Sequence, residues 1–180
     1  MGIRYAVLIV NGNPARELIF DAVGAKSARL SGQEAAIPGG KVDQNEAFWF
    51  SRGEWGVLVL GYAVGNTAAA DNWGADASRV AMALPTSTAV RYFCREDTAG
   101  EVYAQSFEDG VLHFGYCEVE GAVVQDRQVG PLPAEDARYG GTDLDALVES
   151  LFPPELALAT VADQMFERFS IEWPVASRHS

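Results

Sequence analysis

His113 is the only histidine outside the C-terminal tail, where His179 lies. An imidazole titrates near neutrality and is the commonest general acid–base group. Ser106 is its expected cross-strand neighbour, so the two supply the residue types of a nucleophile and its base. A catalytic triad also needs an orienting acid, and a histidine beside a serine in mid-strand is an ordinary hydrogen-bonded pair. No catalytic residue is assigned on that basis. Gly24-Ala25-Lys26-Ser27 has the look of the end of a phosphate loop. It lacks the upstream glycine, since Ile19 stands in that place, and it follows a helix rather than a strand. Gly39-Gly40-Lys41 fails on spacing too.

Carboxylates raise the question of a hard cation. Calcium loops alternate their ligands as Asp-x-Asp-x-Asp-Gly with a distal Glu, and no segment follows that spacing. Asp71 and Asp76 flank Trp73, and Asp143 and Asp145 stand close together. The second pair is better read as acids in the first turn of a helix, favourable against its dipole. Two cysteines, Cys94 and Cys117, are too few for a disulfide scaffold or a zinc centre. No metal and no cofactor is expected.

The acids matter more as a set. Between Glu96 and Glu172 lie seventeen acidic and three basic side chains, a net charge of −14. The first 95 residues carry eight acids and nine bases. A field this lopsided repels nucleic acid and anionic membrane and attracts basic surfaces. In a β-meander alternate turns lie at one end of the sheet. The first and third turns therefore gather Glu96, Asp97, Glu101, Glu118 and Glu120 into a candidate binding face for a basic protein partner. Trp73 is the candidate aromatic anchor beside it.

The elements that position these residues follow from pattern. Tyr5–Val10 is an apolar run expected to be a buried strand. Asn13 then offers an N-cap, with Pro14 at the first helical position and Gly24 as the stop. Residues 27–54 hold five of the glycines and prolines and one apolar patch, Ala47–Phe50, and are set apart as a candidate irregular insertion. Trp55–Val64 reads as a strand, and Asn72–Leu84 as a helix ended by Pro85. Thr88–Arg95, Glu101–Phe107, Val111–Cys117 and Ala122–Gln128 form a meander.

Asp109-Gly110 is the strongest hairpin signal in the chain. A two-residue turn there pairs Phe107 with Leu112, Gln105 with Phe114 and Tyr103 with Tyr116. That register sets Cys94 and Cys117 on opposite faces and argues against a disulfide; a one-residue change in the 97–100 loop reverses this. Helices are expected over 142–151, capped by Thr142, and over Glu155–Phe169, with 175–180 as a tail. One α+β domain over 1–180 results: an antiparallel meander packed on helices, opened by a strand–helix unit.

From Trp55 onward the order is a Trp-led strand, a helix, strands joined by acidic turns, then Arg138-Tyr139-Gly140-Gly141-Thr142-Asp143-Leu144-Asp145-Ala146-Leu147. This resembles small uncharacterised bacterial acidic α+β domains of the actinobacterial type found near toxin–immunity genes. The opening strand–Asn-Gly-Asn-Pro–helix unit is similar to the start of another such family. The resemblance carries no catalytic residues and implies an interaction module rather than an enzyme.

The expected function is a non-enzymatic, immunity-like protein–protein interaction module whose acidic second half binds a basic partner. Two alternatives stand beside it. One is a small-ligand protein or enzyme with a pocket near His113, Ser106 or the Trp49/Trp55 region. The other is a subunit of a larger assembly. No stretch has the roughly 20 apolar residues of a membrane span, and Ala6–Val10 is too short for a secretory core, so a cytoplasmic location is expected.

Overall fold

Ala6–Val10 is apolar at every position because both faces of its strand are covered. Ala6, Leu8 and Val10 pack in one buried cluster, and Val7 and Ile9 in another on the opposite face. The structure is a computed structural model, and it describes residues 4–35, 42–61, 80–84, 88–96, 101–119, 122–128, 156 and 165–174. The expected 142–151 helix, the 175–180 tail, Asp71, Trp73 and Asp76 lie outside the described residues.

The described chain runs β1 (Arg4–Asn11), α1 (Arg16–Ala22), β2 (Ser27–Glu34), β3 (Glu46–Arg52), β4 (Trp55–Gly61), β5 (Ala89–Glu96), β6 (Glu101–Glu108), β7 (Val111–Val119), β8 (Ala122–Gln128) and β9 (Phe166–Glu172). All nine strands form one sheet in the order β2-β9-β3-β4-β1-β5-β6-β7-β8. Every neighbouring pair is antiparallel.

This corrects the α+β expectation. Strand dominates the described residues, and helix is confined to α1, a short turn at residues 80–83 and a 3₁₀ position at Leu156. Two stretches account for the difference. Residues 27–34 and 46–52, expected to be irregular, are β2 and β3. The C-terminal part of the expected Glu155–Phe169 helix is instead β9, inserted between β2 and β3. Phe166 and Phe169 are spaced as on a helix face, yet Phe166 packs in one cluster while Phe169 and Ile171 pack in the other. Only Phe169–Glu172 alternate buried with exposed; the first half of β9, from buried Phe166 through half-buried Glu167 and Arg168, lacks the period-two signature of a strand.

The first face is covered by α1 and the 80–84 segment, through Ile19, Phe20, Val80, Ala81 and Leu84. Over the second face lie Val42 and Leu156. Helix α1 starts later than its sequence suggests. Asn13 takes a left-handed φ of 48° beside Gly12 at 93°, so it cannot act as the N-cap, and Ala15 fills that position without a side-chain bond. The C-terminal end does follow expectation. Gly24 is left-handed at φ 87°, its N–H donates to the Asp21 carbonyl, and the Ala25 N–H donates to the Phe20 carbonyl. These two bonds make a Schellman stop.

Side chains on β9 tie its neighbours to it. Arg168 pairs with Glu46 on β3 and reaches Glu34 on β2 at 3.3 Å. Its guanidinium pKa is raised, chiefly by the hydrogen bond it donates to Glu46. Arg16 on α1 pairs with Glu167 and lies 5.2 Å from the Phe169 ring centroid, while Phe20 meets Phe169 at 5.0 Å. The Arg16 pKa is likewise raised, first by its bond to Glu167. At the strand's end Lys26 pairs with Glu172 and holds that carboxyl below its ordinary value. Among the described residues no helix is long and apolar enough to cross a membrane.

Candidate functional site

The meander fixes where the expected acidic set lies. The four-residue 97–100 connection brings Glu96 directly opposite Glu101 across β5 and β6. On the far side of Glu96 the register places Arg4 of β1. Glu118 of β7 pairs with Val102, one position away, in the row that continues to Arg95 and Tyr5. Glu96 and Glu101 therefore share a row, Glu118 belongs to the adjacent row of opposite facing, and Arg4 and Arg95 are interleaved with them. Asp97 and Glu120, like Trp73, fall outside the described residues.

Like charges directly opposite each other weaken an antiparallel pair. The sequence signal for this grouping is the alternation of acidic turns, and the register adds Arg4, which the turn pattern alone does not show.

His113 and Ser106 are not register partners. Phe107 pairs with Leu112 as the Asp109-Gly110 turn dictates, with φ of 51° and 76° at the two turn residues. The next pair is Ser106 with Phe114, so His113 is the extra residue of a β-bulge. From there Gln105 pairs with Gly115, and Tyr103 with Cys117, each one step from the expected partner. Ser106 is buried and His113 half-buried.

The bulge also returns Cys117 to the row of Cys94. Tyr103 is opposite both. The two cysteines then stand two strand spacings apart, about 10 Å, beyond the reach of a disulfide. Cys94 is a buried thiol within the first cluster. Distance, rather than opposite facing, excludes the bridge.

At the other end of the sheet lies an open cleft of about 380 Å³, lined by Arg52, Gly53, Glu54 and Trp55. Arg52 and Trp55 are the last cross-strand pair of β3 and β4. The turn between them has Gly53 at φ 59°, the pattern of a type II′ hairpin. The Asn13 N–H donates to the Glu54 carbonyl at 2.9 Å and pins this turn to the β1–α1 connection. Trp55 packs its ring against the second cluster, and the Arg91 guanidinium sits 5.3 Å from the ring centroid. This distance is within cation–π range. Sequence reasoning pointed to the Trp49/Trp55 region, but the two rings part: Trp49 is in the first cluster and Trp55 abuts the second.

Among the described residues, no group of three or more His, Cys, Asp or Glu side chains is gathered as a metal-ligand set. Comparison of the chain with family models, with curated proteins and with solved structures finds no match.

Proposed function

We propose that the protein is a non-enzymatic, immunity-like interaction module that receives a basic protein partner at the acidic end of its meander. The reading rests on one observation: the register sets Glu96 opposite Glu101 at the sheet end where Glu118 also lies. It draws further support from the net −14 of the stretch from Glu96 to Glu172. Like charges directly opposite each other weaken a strand pair, and a cationic partner surface at that sheet end relieves the repulsion on binding. Asp97 and Glu120 belong to the same turns in sequence and complete the proposed face, with Trp73 as its aromatic anchor. The resemblance to domains near toxin–immunity genes points the same way.

The test is affinity capture from the source organism's lysate at low and high salt, with wild type and with Glu96, Asp97, Glu101, Glu118 and Glu120 all replaced by Lys. A basic protein held by the wild type at low salt, and absent with the variant, supports the reading. Equal retention by both proteins rejects it.

A further inference from the structure

The cleft at the β3–β4 turn is at the opposite end of the sheet from Glu96 and Glu101, and it has a different chemistry. Its lining brings together a cation (Arg52), an anion (Glu54) and an indole (Trp55) within four consecutive residues. Arg52 and Glu54 are exposed, so their charges face solvent and are available to a ligand. Trp55 is half-buried, packs against the second cluster and has the Arg91 guanidinium 5.3 Å from its ring centroid. The turn itself is held by the bond from Asn13 to Glu54.

We infer that this cleft binds a free aromatic α-amino acid, with Arg52 taking the carboxylate, Glu54 the ammonium and Trp55 the side-chain ring. Three considerations select this ligand class. A guanidinium recognises a planar carboxylate, and a carboxylate accepts hydrogen bonds from an ammonium. An α-amino acid is the small molecule that presents both groups on one carbon, matching two opposite charges on one turn. The volume sits at the small end of the range for small-molecule sites, which suits a ligand of amino-acid size. Offset stacking on the indole favours an aromatic side chain over an aliphatic one. The open cleft and the solvent screening of both charges place the affinity in the millimolar range. The inference is independent of the acidic sheet end.

The experiment follows the indole Nε1–H resonances of the full chain by NMR during titration with L-phenylalanine. Phenylacetate and phenethylamine, each lacking one of the two charges, are titrated in parallel. Trp55 is assigned with Trp55→Phe. The expected result is a saturable shift of the Trp55 resonance with L-phenylalanine and a Kd about tenfold weaker with either analogue. Arg52→Ala and Glu54→Gln are exposed turn substitutions that leave the rest of the spectrum in place, and each weakens L-phenylalanine binding about tenfold. No shift at Trp55 overturns the inference. So does phenylacetate binding as tightly as L-phenylalanine, or an effect of Arg52→Ala without one of Glu54→Gln, since either makes the cleft an anion site.

Discussion

Trp49 occupies the space that a side chain on Gly56 would need. A Cβ placed on Gly56 would lie 2.3 Å from Cη2 of Trp49 and 2.7 Å from Cζ2. Trp49 is only 6% exposed, and its ring is enclosed by the first cluster, so it has nowhere to retreat. Glycine is therefore required at the second position of β4, whose following residues Val57–Leu60 are branched and buried. Gly56→Ala should destabilise the protein by about 1–3 kcal/mol, as overpacked cores do. Its midpoint in urea unfolding measures this. Trp49→Ala alone should cost about 3–5 kcal/mol, and in that background the Gly56→Ala penalty should largely vanish.

Phe169 is the hub through which α1 holds β9. It is 4% exposed, meets Phe20 at 5.0 Å and lies under Arg16. Phe169→Ala should cost about 3–5 kcal/mol, read as a fall in the denaturation midpoint. Because β9 lies between β2 and β3, its loss strips both neighbours of their ladder bonds. A chain ending before Phe166 should therefore fail to give a cooperative unfolding transition. A cooperative transition in that truncated chain would contradict the role assigned to β9.

The strands legible in the sequence are those with a local mark. Asp109-Gly110 announces its hairpin, and the first cross-strand pair, Phe107 with Leu112, follows from the turn. Beyond that pair the register fails, because nothing in the local pattern marks His113 as a bulge. Strand β2 is hidden for a different reason. It is an edge strand whose residues are exposed or half-buried, with Leu30 56% exposed and a register shift between Leu30 and Gly32. Edge strands are commonly polar and bulged, which guards against pairing with other chains, and such a strand reads as a loop. Strand β9 reads as helix because Phe166 and Phe169 stand three residues apart, a helical spacing, although they pack on opposite faces of the sheet. Of the acids that the turn pattern groups, the register places Glu96, Glu101 and Glu118 at one sheet end, and it adds Arg4, brought there by the non-local pairing of β1 with β5.

The Lys26–Glu172 pair gives the chain one predictable response to acid. The Glu172 carboxyl is lowered from 4.5 mainly by the hydrogen bond from Lys26, then by its charge. A lowered carboxyl pKa contributes stability that is present above the unfolded value and is lost as pH falls through the folded value. Glu172→Gln should thus melt below wild type at pH 7, and the two melting curves should converge as the pH drops below that folded value. Both side chains are more than half exposed, so salt should shrink the difference. A gap that persists unchanged in acid would show that the pair is not its source.

Stability and binding should respond in opposite directions at Glu101. Its cross-strand partners are Glu96 and Val119, so Glu101→Lys turns a like-charge pair into an attractive one. The fold should gain about 0.2–1 kcal/mol, seen as a raised melting temperature. Capture of the basic partner should fall with the same substitution. A variant both more stable and equally competent to bind would place the partner elsewhere on the molecule.

The most direct measurement is the association rate of the captured basic partner with the wild type and with the five-lysine variant, at low and high ionic strength. The acidic-end reading predicts fast association by the wild type that slows steeply with salt, and little association by a variant that remains folded. Equal rates for the two proteins, with the same weak salt dependence, would contradict it.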